Sequence, residues 1–449
     1  MAKQSLANDN ITGLAAPLSA AEFDALMSDC GPFPEGLHLA IALSGGGDSS
    51  ALAALLQVWA DRHRAELTAL IVDHKLRPGS DREAKATGEF WQGRGLAVEV
   101  LTHDQLIPDA GIEEFARNIR WSLLTEWCHA HDVDHLALAH HAEDQAETVL
   151  MRLAKGSGAA GLAGMAPRQS RHDGLTIIRP LLTTLRAQLT ALCNELAVPV
   201  VEDPANSDPR FQRTGLREAA ALLAGLGLTP DAIGKAAAKQ REVAELVHGV
   251  ISSVARESLT VEPDGAAWLS MDAWLGLENG FVQRELLARI IGAVGGRQHP
   301  LPRDAAQRLS DQLATKGSEG ETLGGCLIRP QTREGVDGFL FLREAAAIDP
   351  QPIKVLPKLV WDRRFVISAP TDQEALSIVP ASADLWQQIK ADKPELYALF
   401  ADYPARLRWS LPALLTNDGV LAVLAPSKMA AQPPLHGWEM RFAPQRALP

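Results

Sequence analysis

The chain has 449 residues, of which 46% are hydrophobic and 22% charged, an ordinary globular composition whose length predicts two to four domains at about 150 residues each. No run approaches the ~18 consecutive apolar residues of a membrane span, and the first residues lack an apolar signal core, which predicts a cytoplasmic protein without a membrane partner. The net charge of −12 argues against a uniformly basic nucleic-acid binder, although a local basic face would still attract phosphate.

The N-terminal half indicates an extension followed by an α/β domain. Residues 1–35 are the predicted extension, in which Ser19 and Glu22 have the spacing of a capping box at the start of a short helix. Between 36 and 205, short apolar runs alternate with segments of helical periodicity. The predicted strands are 37–43, 67–72, 98–101, 135–139 and 175–178, and the predicted helices are 50–63, 81–94, 112–131 and 143–155. This alternation indicates a doubly wound parallel sheet, which binds ligands at the C-terminal ends of its strands.

The C-terminal half has a different pattern. The segment 203–209 is rich in Pro, Asp and Asn, which predicts a domain boundary. Residues 206–345 indicate a mainly helical connecting domain, and residues 346–449 a small α+β domain. The predicted helices are 229–257, 279–293, 303–314 and 383–400. The predicted strands are 326–330, 339–342 and strands near 358–367, with a hairpin turn at 417–419.

A glycine-rich loop joins the first predicted strand to the first helix of the α/β domain. Three glycines permit a tight turn that aims successive N–H groups at one anion, and the helix N-terminus adds partial positive charge. The loop lacks the Gly-Lys-Ser/Thr ending of a Walker A motif. The predicted phosphate-binding residues are Ser44, Gly45, Gly46, Gly47, Asp48 and Ser49. The carboxylate of Asp48 requires a cation such as Mg²⁺ that shares the phosphates with it.

Polar residues after later strands extend this site. Asp73 and His74 close the second predicted strand beside the phosphate loop and are predicted nucleotide contacts. Arg120, on the predicted helix 112–131, would stabilise negative charge on a leaving pyrophosphate.

An acidic stripe follows the fourth predicted strand. His140, Asp144 and Glu147 lie at i, i+4 and i+7 at the start of a helix. Such a stripe can hold Mg²⁺, receive an amine or accept a proton. A zinc site is the alternative, but the His-x-x-x-His spacing of zinc helices is missing.

Several segments, in this order, resemble the tRNA(Ile)-lysidine synthases, which are N-type ATP pyrophosphatases with a PP-loop and an adenine nucleotide alpha-hydrolase-like fold. The segments are SGGGDS (44–49), VDHKLR (72–77), EEFARNIRW (113–121), HHAEDQAETVLMR (140–152), RPLL (179–182) and EDPANSDPRF (202–211). The resemblance covers about 36–217 strongly and is diffuse beyond, where longer members carry tRNA-binding domains. It implies tRNA binding for 206–345 and 346–449.

The resemblance implies a two-step reaction. ATP adenylates the C2 oxygen of the wobble cytidine in the CAU anticodon of tRNA(Ile) and releases pyrophosphate. The amine of free L-lysine then attacks C2 and expels AMP, leaving lysidine. The implied partners are ATP, Mg²⁺, L-lysine and tRNA(Ile), and a homodimer is left open. The implied catalytic residues are Asp48, Arg120, Asp144 and Glu147. The candidate contacts to substrate and tRNA are His140, His141, Lys155, Arg179, Arg210, Arg213 and Arg217, with the pair Arg363 and Arg364 as a further basic run.

The chain departs from the family pattern at three places. Glu143 stands where the family usually has Asp, and Lys155 replaces a usual Arg, which loses bidentate phosphate contact. Thr214 and Gly215 replace a usual Asn and basic residue, which puts any tRNA contact at those two positions in doubt.

Three alternative functions stay open at this point. A tRNA 2-thiolation enzyme of the same superfamily needs paired cysteines, whereas the four cysteines here are scattered without a Cys-x-x-Cys. A ligase fed by a glutaminase half needs a nucleophilic cysteine in a suitable turn. A non-catalytic tRNA- or nucleotide-binding protein would not need Asp48, Arg120, Asp144 and Glu147 together.

Overall fold

The computed structural model describes residues 15–77, 79–108, 110–200, 212–315, 320–370 and 375–448. The chain divides into two compact units, one up to Glu245 and one from Leu246 onward. No helix within the described residues combines the length and apolar content that a membrane crossing requires. The four-part domain division given above stays a prediction.

The first unit is built on a six-stranded sheet. Its strands are β1 (His38–Ala42), β2 (Glu66–Val72), β3 (Ala97–Leu101), β4 (His135–Ala137), β5 (Arg168–Ser170) and β6 (Thr176–Ile178). They lie in the order β3-β2-β1-β4-β6-β5, and all neighbours are parallel except β5 and β6. The five predicted strands are confirmed as β1, β2, β3, β4 and β6. The edge strand β5 is short and polar and has no apolar run by which it could be predicted.

Helices pack on both faces of this sheet. The helices that begin in the first unit are α1 (Ala20–Cys30), α2 (Gly47–His63), α3 (Ser80–Gly93), α4 (Ile112–Ala130), α5 (Ala142–Ala154), α6 (Ala159–Leu162), α7 (Arg186–Glu195), α8 (Gln212–Glu218), α9 (Ala220–Gly225) and α10 (Pro230–Ser258). The predicted capping box of α1 is confirmed, because Ser19 Oγ accepts the N–H of Glu22 and the Glu22 carboxylate accepts the N–H of Ser19.

The alternation of side chains on β1 separates two apolar cores. Leu39 and Ile41 pack with α1, α2, α3 and α7 on one face, while Ala40 and Ala42 pack with α4 on the other. Both faces of a central parallel strand are therefore buried, which confirms the predicted doubly wound α/β sheet. The C-terminal ends of β1, β2 and β4 lead directly into the segments that carry the predicted site residues.

The second unit begins with an antiparallel sheet and three helices. The strands are β7 (Leu259–Val261), β8 (Ala267–Ser270), β9 (Glu321–Leu323), β10 (Cys326–Arg333) and β11 (Val336–Arg343), in the order β7-β8-β11-β10-β9. The helices are α11 (Met271–Leu275), α12 (Gly280–Val294) and α13 (Arg303–Ala314). The predicted helices 279–293 and 303–314 are confirmed. The sheet has more strands than the two that the sequence pattern predicts, because β7, β8 and β9 are only three or four residues long.

The last part of the chain holds two small sheets. Its strands are β12 (Ile353–Lys354), β13 (Lys358–Trp361), β14 (Phe365–Ser368), β15 (Ser377–Pro380), β16 (Pro412–Thr416), β17 (Gly419–Val423) and β18 (Glu439–Phe442), and its helices are α14 (Ala383–Asp392), α15 (Pro394–Leu399) and α16 (Ala405–Arg408). The sheet orders are β12-β15-β16-β17 and β13-β14-β18. The hairpin predicted at 417–419 joins β16 to β17.

Within the second unit, a buried ion cluster links the end of β11 to the turn between β13 and β14. Asp362 accepts hydrogen bonds from Arg343 at 2.7 and 2.9 Å and from Arg364 at 2.6 Å. Arg364 is fully buried and also donates to the carbonyl of Ser410. The predicted tRNA contact is therefore wrong for Arg364, whereas its neighbour Arg363 is exposed.

Candidate active site

The glycine-rich loop forms a compact turn at the C-terminal end of β1. Gly45 has a φ of +79°, a conformation that favours glycine, and Gly46 is the N-cap of α2 without a side-chain hydrogen bond. Ser49 Oγ accepts the N–H of Ser44 at 3.2 Å and donates to the carbonyl of Gly46 at 3.0 Å. Because the first N–H groups of a helix lack intrahelical acceptors, this turn presents donors to an anion.

A cavity of about 540 Å³ lies between this loop and the end of β2. Ser44, Gly46, Asp73, His74 and Arg120 all line it. The structure thus brings together the phosphate loop, the end of the second strand and helix α4, as the sequence predicts. Its volume lies within the range of small-molecule pockets.

Asp73 is a fixed part of the cavity wall. Its carboxylate is buried, and Oδ1 accepts the backbone N–H of Lys75 at 3.0 Å and the hydroxyl of Ser80 at 2.6 Å. Nearby, Nε2 of His103 lies 3.0 Å from the carbonyl oxygen of His74. These bonds order the segment that follows β2.

Arg120 reaches the cavity from α4. Burial lowers the pKa of Arg120, and the charge of Arg117 on the same helix lowers it further. None of the described residues forms a hydrogen bond or an ion pair with the Arg120 guanidinium. A partly desolvated cation of this kind gains energy from a bound anion.

His141 lies just before α5 and is buried among three carboxylates. Its Nδ1 is 2.9 Å from Glu143 Oε2, and its Nε2 is 3.4 Å from Asp144 Oδ2 and 3.6 Å from Asp48 Oδ2. Burial alone would lower the pKa of this imidazole, but its hydrogen bonds to Asp48 and Glu143 and the charge of Asp144 raise the pKa to about 10. A cationic His141 therefore connects the phosphate loop to the acidic stripe.

Asp48 faces cations from two directions. His141 lies on one side, and Nε of Arg186, from the start of α7, lies 3.6 Å from Asp48 Oδ1. Burial would raise the pKa of Asp48, but the hydrogen bond and charge of His141 and the charges of Arg186 and Arg217 lower it. Asp48 is therefore ionised. Arg186 could not be predicted from the sequence, because no motif marks it and only the fold brings it to the loop.

The acidic stripe pairs with an arginine from α8. Arg217 Nε donates to Glu147 Oε1 at 2.7 Å, and Arg217 Nη2 lies 3.8 Å from Asp144 Oδ1. Burial alone would lower the pKa of Arg217, but the hydrogen bond and charge of Glu147 and the charge of Asp144 raise it. The predicted residues Asp48, Asp144, Glu147 and Arg217 are thus close together.

The remaining predicted contacts differ in their surroundings. Lys155 is exposed at the end of α5, and His140 is half-buried beside His141. Arg179 is buried and donates to the carbonyl of Ala166 and to Gln169 Oε1, both at 3.0 Å. Arg210 and the side chain of Arg213 lie outside the described residues. The functional assignments of these residues stay predictions.

The side-chain amide of Gln145, on α5, forms hydrogen bonds with the loop that follows this helix. Gln145 Nε2 donates to the carbonyl of Met165 at 3.0 Å, and the N–H of Met165 donates to Gln145 Oε1 at 2.8 Å. Gly164 has a φ of +67°, and a Cβ placed on it would lie 2.7 Å from the Gln145 amide. Arg152 Nη1 also donates to the carbonyl of Gly161 at 2.8 Å.

The residues around the loop fit magnesium only as a phosphate-bound ion. Across the described residues, no group of three or more His, Cys, Asp or Glu side chains is arranged to hold a metal by itself. Mg²⁺ is commonly held by one or two carboxylates together with substrate phosphates. The ionised Asp48, at the start of α2, fits that arrangement.

All four cysteines are free and buried. Burial raises the pKa of Cys30 to about 11 and that of Cys128 and Cys326 to about 12. Thiols of this kind are poor nucleophiles at neutral pH, because the thiolate is the reactive form.

Comparison with known proteins identifies the family. A PP-loop domain family matches residues 18–222. The solved U34-tRNA thiolase NcsA from Methanococcus maripaludis aligns at 19% identity with a TM-score of 0.42, over 49% of this chain and 77% of that one, a likeness too weak to carry an argument. The tRNA(Ile)-lysidine synthase of Ruegeria pomeroyi is 35% identical over 357 residues, which cover 78% of this chain and 82% of that protein. The tRNA(Ile)-lysidine synthase of a Bradyrhizobium species is 34% identical over 347 residues, which cover 75% and 95%. The chain belongs to the tRNA(Ile)-lysidine synthase family.

Proposed function

We propose that this chain uses ATP to ligate L-lysine to C2 of the wobble cytidine in the CAU anticodon of tRNA(Ile). The observation that carries the proposal is His141, which lies within 3.6 Å of both Asp48 in the phosphate loop and Asp144 in the acidic stripe. A nucleotide held by the loop and a base held by the stripe would therefore meet at one place.

In the first step, the C2 oxygen of the cytidine attacks the α-phosphorus of ATP, and pyrophosphate leaves with its electron pair. The N–H groups and hydroxyls of residues 44–49 bind the departing phosphates, and Arg120 stabilises the charge that develops on them. Magnesium held by Asp48 would neutralise the phosphates when bound. The target base has to leave the anticodon stack to reach Asp144.

In the second step, the lysine amine attacks C2 and AMP leaves. The nitrogen loses a proton as the carbon–nitrogen bond forms, and the carboxylates of Asp144 and Glu147 are the candidate acceptors. They also attract the ammonium form of the incoming amine. Arg217 contacts both carboxylates and would hold them in place between turnovers.

The test is one incubation of the purified chain with ATP, labelled lysine and unmodified tRNA. Label should enter tRNA only when the tRNA carries a CAU anticodon on the isoleucine body. If AMP and pyrophosphate form without lysine transfer, the chain cleaves ATP as proposed, but the proposed transfer of lysine to this tRNA is wrong.

Asp48→Ala tests the role of the phosphate loop. We expect it to abolish pyrophosphate release while tRNA binding stays near the wild-type level. Asp61→Ala, at an exposed position on the same helix, is the matched control and should leave both unchanged. Equal loss of release and tRNA binding in Asp48→Ala would show that the loop is only structural.

Sulfur transfer is the second candidate reaction, and the buried cysteines argue against it. An incubation that replaces lysine with a sulfide source separates the two reactions, because a thiolase would add sulfur to the tRNA.

We also expect a cytoplasmic protein. Light scattering of the purified chain will decide whether it is a homodimer.

A further inference from the structure

Arg186 is a cation beside the phosphate loop that neither step of the proposed reaction uses. It is the first residue of α7, and its Nε lies 3.6 Å from Asp48 Oδ1. At that distance the two charges attract, but the contact is too long for a hydrogen bond. The side chain is 58% exposed and donates no hydrogen bond to the described residues. The donors of its guanidinium are therefore available to a bound anion.

The position of Arg186 is fixed through its backbone and not through its side chain. The N–H of Arg186 donates to both carboxylate oxygens of Glu143, at 3.1 and 3.2 Å. Further along α7, Cys193 Sγ donates to the carbonyl of Gly47 at 3.2 Å. Helix α7 is thus anchored to the helix that begins in the phosphate loop, whereas the end of the Arg186 side chain can change partners.

The other cations near Asp48 are held by further acids. His141 contacts two carboxylates besides that of Asp48, and Arg217 Nε donates to Glu147 Oε1 at 2.7 Å. Among the described residues, Asp48 is the one acid with which the Arg186 side chain forms an ion pair. Arg186 can therefore leave its partner at the lowest cost of the three cations.

A bound nucleotide changes what Asp48 offers to Arg186. Asp48 fits a Mg²⁺ that is shared with the phosphates, and a carboxylate that binds a dication attracts a guanidinium less strongly. The N–H groups of the loop and of the first turn of α2 attract the phosphates to the same place. A guanidinium released from Asp48 can then turn to the phosphate oxygens, which it binds through two parallel hydrogen bonds.

We propose that Arg186 exchanges partners when ATP binds, leaving Asp48 and binding the β- and γ-phosphates that later depart as pyrophosphate. In the empty site it neutralises the carboxylate that repels phosphates, and in the occupied site it neutralises phosphate charge. The proposal deepens the proposed function, on which it rests for ATP as the substrate. It gives the pyrophosphate a cation from α7 in addition to Arg120 from α4.

The test is equilibrium binding to the full-length chain, measured by calorimetry without lysine or tRNA. Arg186→Gln should raise Kd for ATP and for inorganic pyrophosphate about tenfold, because a charge-assisted hydrogen bond to phosphate is lost. Kd for AMP, which lacks those phosphates, should stay at the wild-type value. Arg186→Lys keeps the charge and should raise Kd by only about threefold. Arg82→Gln, at an exposed arginine on α3, removes the same charge and is the matched control.

A double-mutant cycle separates binding to phosphate from an effect through Asp48. Kd for pyrophosphate is measured without Mg²⁺ in wild type, Arg186→Gln, Asp48→Asn and the double variant. If Arg186 acted only by pairing with Asp48, Arg186→Gln would have no effect once the carboxylate is removed. We expect the opposite. Arg186→Gln should raise Kd by a larger factor in the Asp48→Asn background than in wild type, because Arg186 no longer has to leave the carboxylate.

Several results would overturn the proposal. They are wild-type Kd values in Arg186→Gln, an equal rise in Kd for AMP, or no effect of Arg186→Gln in the Asp48→Asn background. A rise in KM for tRNA with unchanged ATP binding would assign Arg186 to the RNA instead. Every substitution at position 186 keeps the backbone N–H that Glu143 accepts, so the start of α7 stays in place. If Arg186→Gln nevertheless fails to fold, the cycle is run with Arg186→Lys, and a wild-type Kd in that variant overturns the proposal.

These outcomes are distinct from a failure of the proposed function. If the wild-type chain binds ATP and pyrophosphate with the expected dependence on Arg186 but transfers no lysine, the role of Arg186 stands and the proposed reaction is wrong. If the wild-type chain binds neither ATP nor pyrophosphate, both proposals are wrong.

Discussion

Glu143 accepts the backbone N–H of Arg186 through both of its carboxylate oxygens, at 3.1 and 3.2 Å. This bond fixes the first residue of α7, whose side chain faces Asp48. The same carboxylate lies 2.9 Å from His141 Nδ1. Glu143 therefore positions both of the cationic groups that face Asp48.

Substitution of Glu143 should slow the first step without unfolding the chain. Glu143→Gln removes the negative charge but keeps the size, so His141 and Arg186 lose their common partner. We expect pyrophosphate release to fall on the order of 10- to 100-fold, because small misplacements of positioned groups cost that much. Glu143→Asp should show an intermediate rate, and Glu195→Gln, at the exposed end of α7, should match wild type. Wild-type rates in Glu143→Gln would contradict this role.

The charge of His141 predicts a particular dependence of stability on pH. Its pKa is raised to about 10 in the folded chain, against about 6.5 in an unfolded one. The folded state therefore holds a proton that the unfolded state releases, so the stabilisation is full below about pH 6.5 and is lost as pH rises toward 10. Within that window the residue should make the free energy of unfolding fall by about 1 kcal/mol per pH unit.

Urea denaturation without Mg²⁺ at several pH values between ~6 and ~10 measures this contribution. His141→Gln should flatten the pH dependence relative to wild type. His131→Gln is the control at an exposed histidine. Identical slopes in wild type and His141→Gln would show that this imidazole is not held in its cationic form.

Arg120 should be more important for the reaction than for stability. Arg120 lines the cavity between the glycine-rich loop and the end of β2, and its guanidinium has no partner among the described residues. Arg120→Gln should therefore reduce kcat for AMP formation by about 100-fold or more and leave the thermal unfolding midpoint unchanged or slightly raised, because an uncompensated cation is removed. Arg117→Gln, exposed on the same helix, is the control. A large loss of stability in Arg120→Gln would assign it a structural role.

The buried ion cluster around Asp362 should dominate the stability of the second unit. Asp362→Ala leaves Arg343 and Arg364 buried without their carboxylate, which should lower the free energy of unfolding by about 3–5 kcal/mol. Chemical denaturation followed by tryptophan fluorescence reports the change, because Trp361 lies beside the cluster. Arg363→Gln, next in sequence but exposed, should stay within about 0.5 kcal/mol of wild type. Equal changes in the free energy of unfolding for the two substitutions would mean that burial of the ion cluster does not determine its contribution to stability.

The central fold could be predicted because its strands are apolar on both faces. The positions of the phosphate loop and Asp73 were also predictable, since both follow strands that end at one edge of the sheet. The position of Arg120 was predictable because it lies on the adjoining helix. Arg186 was not, because its position depends on a backbone contact with Glu143 that no pattern encodes. The sequence also does not distinguish Arg363 from Arg364. They differ because the turn at Asp362 and Arg363, both with positive φ, directs one arginine outward and the other into the core.

Gln145 and Gly164 are coupled in a way that constrains how this chain can evolve. Any side chain at position 164 would occupy the space of the Gln145 amide. Any shorter side chain at position 145 would leave the N–H of Met165 without its present acceptor and its carbonyl with Arg241 as the remaining donor. A change at either position alone should therefore destabilise the loop that follows α5. Among relatives of this chain, we expect the two positions to be inherited as a pair and to be replaced only together.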